Sequence, residues 1–523
     1  MLSSFFFYSP VPAARSRYRF ALLISAAFFI FASVPASALA NENDPKKMLR
    51  EGDKLMRQGK VVDAENLYRQ ALSVSPESTV AKLKIAYSLI KQRRLVEAYE
   101  LSLGVAQADR RNARAYALAG TSLLSLGQFS EARSVLTEAI RLDNNESLAW
   151  YSIGLLDYYE NRIEESLANL REAVFHDPRD TDAMFSLAQV AARSEKYKEA
   201  ADAYRRFLQI SRNTDDERRE RIQGLIDFLE YLGSRTAIYT TSGPEHSALN
   251  FTLIGNRPVL EVRINEGEEP LRFVLDTGSG ITVISDETAE RLKIKPVARG
   301  GKAKGLGGDG RFEIVYGFLR SVEIGEMRVR NVPVYIRKFH NPTLRFDGYI
   351  GLSLISKFLT TVDYGKLEFA LTRKDSELAK AIPLENAVPL RLTSSGFLSG
   401  EVQLEGVEAP LNFIVDTGAS VSVISDEIAS VESVSPGLRD ERMRVIGSAG
   451  ITEDVPSYML PKLSFADHTR SDVMAIALDL DIINEASGFT QAGILGGNFL
   501  RNFRMTFDFK NSRVAFAPVK EAQ

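Results

Sequence analysis

Two stretches of this chain are nearly the same sentence, and together they limit what it can fold into. Phe273-Val274-Leu275-Asp276-Thr277-Gly278-Ser279-Gly280-Ile281-Thr282-Val283-Ile284-Ser285 recurs as Phe413-Ile414-Val415-Asp416-Thr417-Gly418-Ala419-Ser420-Val421-Ser422-Val423-Ile424-Ser425. Each copy is an apolar strand that runs into Asp-Thr-Gly and out into a second apolar strand, placing a carboxylate at a tight turn between buried segments. An aspartate rarely occupies so apolar a setting unless it is paired or chemically employed. Two copies supply two such carboxylates.

The surroundings repeat as well. The first copy is followed by a glycine-rich turn at Gly305-Leu306-Gly307-Gly308-Asp309-Gly310, by Asp347-Gly348-Tyr349-Ile350-Gly351, and by closing strands at 361–364 and 367–369. The second is followed by Ile446-Gly447-Ser448-Ala449-Gly450, by Ala492-Gly493-Ile494-Leu495-Gly496-Gly497, and by closing strands at 506–509 and 514–516. Gly351 lies 75 residues after Asp276, and Gly496 lies 80 after Asp416. Matching order at matching spacing makes this an internal duplication, with units at 245–373 and 385–520 and a polar linker over 372–386.

Upstream the composition shifts to Ala, Leu, Glu, Arg and Tyr at helical spacing. Ala64, Ala98, Ala132, Ser166 and Ala200 close five similar segments, each a step of 34 from the last. That is the tetratricopeptide period, and the segment resembles about five such repeats over 45–212 within a helical region spanning 41–236. Small residues at these positions let antiparallel helices approach, while Tyr68, Leu136, Leu170 and Tyr204 offer apolar faces to the next unit. Pro76 and Pro178 stand between repeats, where a helix must stop. Residues 213–235 read as an amphipathic helix that caps the array with Ile222, Leu225, Ile226 and Leu229 inward. Such solenoids bind peptides or protein segments on a concave face, so a protein partner is expected there.

Residues 1–40 read as a targeting segment. Arg15, Arg17 and Arg19 precede an apolar run from Phe20 to Val34, and Ala36-Ser37-Ala38 supplies a small-residue cleavage site. This predicts an exported protein, periplasmic or secreted, with membrane attachment only if the segment stays uncleaved. A length of 523 residues implies two to four units. With 65 Lys+Arg against 68 Asp+Glu and no long single-sign block, nucleic acid is not an expected partner. The absence of cysteine removes thiol nucleophiles, disulfides and zinc ribbons, and the four histidines form no metal-ligand spacing. Neither metal nor cofactor is expected.

Each duplicated unit resembles a retropepsin-type aspartic protease domain of the bacterial kind, and the pair resembles the bilobal arrangement of pepsin-like enzymes. The resemblance implies two all-β acid-protease barrels after an all-α solenoid, with Asp276 and Asp416 as the catalytic pair and a peptide or protein as substrate. It gives Ile350-Gly351 and Leu495-Gly496 the role of packing against the catalytic loops. Thr277 and Thr417 are expected to bond across to the opposite unit, and Gly278 and Gly418 to let the backbone pass close to the carboxylates. Ser279 follows the first Asp-Thr-Gly where Ala419 follows the second, so a hydroxyl bond to Asp276 is expected to make it the more acidic partner. The turns holding Gly307, Gly308, Gly447 and Gly450 fall where flaps would cover a cleft, although Tyr316 lies late in its hairpin for a flap tyrosine. The leading expectation is an exported aspartic endopeptidase whose repeats recruit substrate or partner. The alternatives are a non-catalytic peptide-binding scaffold and a protease active only as a homodimer.

Overall fold

The computed structural model describes residues 44–211, 216–234, 237–340, 345–384 and 386–519. The stretch 1–40, read above as a targeting segment, lies outside the described residues, as do 213–215 at the start of the expected capping helix.

Helices pair along the N-terminal part: α1 (Pro45–Arg57) with α2 (Val61–Val74), α3 (Thr79–Lys91) with α4 (Leu95–Ala108), α5 (Ala113–Leu126) with α6 (Phe129–Leu142), α7 (Ser147–Tyr159) with α8 (Ile163–His176), and α9 (Thr181–Arg193) with α10 (Tyr197–Ile210). The closing helix is α11 (Asp216–Gly233). Ala64, Ala98, Ala132, Ser166 and Ala200 are fully buried. A second small position runs at the same period through the first helix of each pair: Gly52, Ala86, Gly120, Gly154 and Ala188. A methyl on Gly52 would come within 2.4 Å of the Tyr68 ring, and one on Gly120 within 2.6 Å of Leu136. The large side chain of one helix therefore fills the space left by the small residue of its partner. Several boundaries are capped by side chains: Ser78 accepts from Ala81 N–H, Asn112 from Ala115 N–H, and Asp180 from Asp182 and Ala183 N–H. Ile222, Ile226 and Leu229 of α11 are buried.

The C-terminal part is strand-rich and shows the duplication directly. In the first unit, Gly348–Ile350 lies parallel to Leu271–Leu275, with Ile350 opposite Leu275, and antiparallel to Thr282–Ser285. In the second, Gly493–Leu495 lies parallel to Leu411–Val415, with Leu495 opposite Val415, and antiparallel to Ser422–Ser425. A strand inserted between the two arms of each loop fixes where the loop's tip points.

The two units do not close independently. Their terminal hairpins merge into one six-stranded sheet, in which Phe358–Asp363 pairs antiparallel with Phe503–Asp508. Thr361 faces Thr506 there, with their hydroxyls 3.0 Å apart. The polar stretch between the units carries a short helix, Glu377–Ala381, capped by Ser376.

Residues from Pro45 onward form one unit in which the solenoid is docked on the strands. Phe489 of the second unit packs between Phe129, edge-on, and Tyr159, at a tilt, each with ring centroids 5.0 Å away. Asn161 donates to the Phe509 carbonyl at 3.0 Å, Gln189 to that of Ser394 at 2.6 Å, and Arg391 pairs with Glu160 at 3.2 Å. On the first unit, α11 lies against the strand Ala298–Lys304 so closely that a methyl on Gly224 would come within 2.2 Å of the Arg299 carbonyl oxygen. Phe228 of α11 stacks on Tyr316 at 4.4 Å. Tyr316, late in its hairpin, is thus a buried anchor for the helix and not a tyrosine of the hairpin tip.

Candidate active site

The two Asp-Thr-Gly turns meet tip to tip. Thr277 Oγ1 donates to the Val415 carbonyl and Thr417 Oγ1 to that of Leu275, each at 2.7 Å. The same hydroxyls accept from the opposite threonine's N–H, at 3.1 Å from Thr277 and 3.0 Å from Thr417. Both threonines are completely buried, so each hydroxyl both donates and accepts and no polar atom of the pair is left unpaired. These four bonds set the distance between the aspartates.

Glycine is required one residue further on. A methyl at position 278 would come within 2.3 Å of Asp416 Cγ, and one at 418 within 2.6 Å of Asp276 Cγ. Each carboxyl group lies over the opposing loop's bare backbone. From behind, the loops are held by the second glycine motifs: Asp276 N–H donates to the Ile350 carbonyl and Asp416 N–H to that of Leu495, both at 3.0 Å. Gly351 N–H donates to Thr282 Oγ1 and Gly496 N–H to Ser422 Oγ. A side chain on Gly351 would strike the Ile281 carbonyl, and one on Gly496 that of Val421.

Asp276 and Asp416 face each other across the loop tips and are half-buried at the cavity wall. Burial, the neighbouring Asp416 charge and the hydrogen bond from its own carboxyl to Asp416 together hold Asp276 well above the usual carboxylate range. Burial raises Asp416 too, but Gly418 N–H at 2.7 Å and Ala419 N–H at 3.1 Å donate to its Oδ1, and it accepts the hydrogen bond of Asp276. These donors favour its charged form. More donors therefore favour the charged form at Asp416 than at Asp276, the opposite sense to the expectation drawn from Ser279. Its Oγ donates to the Ile281 carbonyl at 2.8 Å instead of to Asp276, so the hydroxyl stabilises the loop and leaves the carboxyl alone.

The two glycine-rich turns also meet. Gly305 to Gly310 close the hairpin of Ala298–Lys304 and Arg311–Ile324, and Gly447 to Gly450 that of Leu438–Ile446 and Ile451–Leu460. Ala449 N–H donates to the Leu306 carbonyl at 2.8 Å. Gly307 and Gly308 adopt positive φ, 87° and 57°, and pack backbone to backbone against Gly447, Ala449 and Gly450. Arg337 on Met327–Arg337 donates to the Ser448 carbonyl and so ties the first unit to the second unit's hairpin tip. It lies on a strand with no motif around it, and sequence reasoning passed over it.

Dyad, hairpin tips and the inner face of the solenoid line one continuous cavity of 1090 Å³. Among the described residues, no group of three or more His, Asp or Glu side chains is placed to hold a metal ion. The arrangement has one chemical capability that its parts lack separately: two carboxyls close enough to hold a proton between them, presented together in one cavity.

The family model described as aspartyl protease matches residues 260–354 and 400–499, the two strand-rich units. Tetratricopeptide-repeat models match 55–121, 113–146 and 151–215. No curated protein sequence matches the chain. Solved structures similar to the solenoid include a thermophilic tetratricopeptide-repeat protein of Thermus thermophilus, at 18% identity over 36% of this chain and 100% of that one, with a TM-score of 0.32. PilF of Pseudomonas aeruginosa is 18% identical over 37% of this chain and 86% of its own, with a TM-score of 0.28. MamA of Desulfovibrio magneticus is 18% identical over 33% and 97%, with a TM-score of 0.24. The chain is a tetratricopeptide-repeat array joined to a tandem pair of aspartyl-protease-family units.

Proposed function

We propose that the chain is an aspartic endopeptidase, working outside the cytoplasm, in which the repeat array brings substrate or partner to a cleft built by both strand-rich units. The observation that carries this reading is the meeting of two carboxyls, each over the opposing loop's bare glycine backbone, beneath paired hairpin tips. Both members of that pair come from one chain, so a second copy is not needed to assemble it.

The unequal acidity assigns the roles. Asp416, as the carboxylate, takes a proton from a water held between the two groups, and the water oxygen bonds to the scissile carbonyl carbon. Asp276 gives its proton to the carbonyl oxygen as the double bond opens, forming a neutral gem-diol. The proton held by Asp416 then passes to the leaving nitrogen while Asp276 recovers its own from the diol, and the C–N bond breaks. The pair carries a single negative charge throughout, which passes from Asp416 to Asp276 and back. The export component is supported by the basic, apolar and small-residue segments of 1–40.

The test is cleavage of a labelled disordered protein by the full-length tagged chain, recovered from the periplasmic fraction or the medium, with and without pepstatin. Asp276→Asn and Asp416→Asn are each expected to lose about 10²–10⁴-fold in turnover while remaining folded. Full activity in either variant would sink the shared-proton mechanism, and binding without any cleavage by the parent chain would leave a peptide-binding scaffold in its place.

A further inference from the structure

The charge of the cavity is opposite in sign to that of the chain. The whole protein carries a formal net charge of −3. Among the residues that line the cavity, lysines and arginines outnumber aspartates and glutamates nine to five.

The acidic side chains are also already engaged. Asp182, at the start of α9, pairs with Lys91 from the end of α3 across the inside of the solenoid, and with Arg218 at 3.3 Å. Asp180 accepts from the first amides of α9. Glu485 pairs with Lys304, and the two catalytic-loop aspartates share a proton. Arg444 pairs with Glu453 outside that set, and five cations remain without a carboxylate at ion-pair distance among the described residues: Arg193, Arg221, Arg257, Lys302 and Arg337.

All five line the one cavity, from the solenoid to the dyad. Arg193 stands beside Tyr158 and Tyr239, and Arg221 beside Tyr204 and Tyr335, where the solenoid meets the first unit. Lys302 is on the hairpin that α11 covers. Arg337 faces Asp276, with one guanidinium nitrogen on the Ser448 carbonyl and its Nε buried without a partner. Cations enclosed by low-dielectric walls attract anions far more strongly than the same cations on an open surface. A cavity of 1090 Å³ also exceeds the range of roughly 300–1,000 Å³ that suits small molecules, and fits an extended chain segment.

We propose that the cavity receives acidic polypeptide, a segment rich in aspartate and glutamate lying along Arg193, Arg221 and Lys302 while the neighbouring part of the same chain reaches the dyad. This names the substrate class and rests on the endopeptidase reading for its consequence, though not for the binding itself. A segment so held has its carboxylates on the solenoid side and enters the cleft from there, so the solenoid's inner face acts as an extended part of the substrate site.

Binding separates the two ideas. The full-length Asp276→Asn chain, which cannot turn over, is titrated by fluorescence anisotropy with two labelled peptides that share a central segment. One is flanked on one side by glutamates and the other by lysines. The glutamate peptide is expected to bind at least about tenfold more tightly at low salt, with the preference shrinking as ionic strength rises. Arg193→Gln with Arg221→Gln should remove most of that preference, and Arg193→Lys with Arg221→Lys should restore part of it, which a loss of fold would not allow. Equal binding of the two peptides, no binding of either, or an unchanged preference in the double Gln variant overturns the proposal. So does full competition by a single-stranded oligonucleotide of equal charge, since that marks a general anion site. A glutamate preference in a parent chain that cuts neither peptide overturns the endopeptidase reading and leaves the acidic-segment site standing.

Discussion

Asp276 is the residue on which the chemistry turns, and its environment has a thermodynamic signature apart from catalysis. The folded chain keeps a proton on Asp276 that the unfolded chain releases once the pH passes about 4. A carboxyl raised on folding contributes stability below its unfolded value, and that contribution is lost as pH rises toward its folded value. Across this window the parent chain should lose about 1.4 kcal/mol per pH unit from this group. Asp276→Asn has no proton to release, so thermal unfolding should find it no more stable than the parent near pH 4 and progressively more stable as pH rises. A constant difference across pH would mean that Asp276 is ionised in the fold. The sequence announced this residue clearly, because a carboxylate amid Phe, Val, Leu and Ile needs a reason. It gave the opposite sense of the asymmetry because a hydroxyl at 279 has two acceptors within reach. Only the path of the loop shows that it meets the Ile281 carbonyl.

At the scale of elements, the 34-residue step and the two glycine motifs were legible because each is a local requirement repeated many times. A helix pair that must approach its neighbour needs Ala, Ser or Gly at the crossing in every repeat, and Tyr68, Leu136, Leu170 and Tyr204 complete that pattern. The merging of the closing hairpins into one sheet was not legible, since Thr361 and Thr506 read equally well as partners within their own units. Nor was the seat of α11, where Gly224 of the helix meets Gly300, and Arg221 meets Gly301, backbone to backbone. Gly224 costs a helix interior about 1 kcal/mol relative to alanine, and the gain is backbone contact with Arg299 and Gly300 on the hairpin below. Gly224→Val is therefore expected to lift α11 from the strand Ala298–Lys304, with faster amide exchange at 298–304 and about 1–3 kcal/mol lost in stability. Unchanged exchange at those positions would show that the helix does not hold the hairpin.

Over the whole molecule, the solenoid and the strand-rich units depend on one another. Phe489, Tyr316 and Phe318 complete their packing only with Phe129, Tyr159, Phe228 and Tyr231 from the helices. None of these aromatics carries a motif, so the docking was invisible in the sequence although both partners were recognised. A fragment of residues 237–519 would expose those rings as an apolar patch and should unfold at lower temperature than the full chain or self-associate, as light scattering would register. Equal melting and a monomeric fragment would show that the contact adds nothing. The docking also makes the two hairpin tips unequal. One is pinned beneath α11, while Leu438–Ile446 of the other is largely exposed along its length. The paired tips are therefore unequally supported, and the Ala449–Leu306 and Arg337–Ser448 bonds join a hairpin covered by a helix to one whose outer strand faces solvent. The duplicated sequence conceals this handedness: one hairpin of the pair is built against the solenoid, and its twin presents its outer strand to solvent.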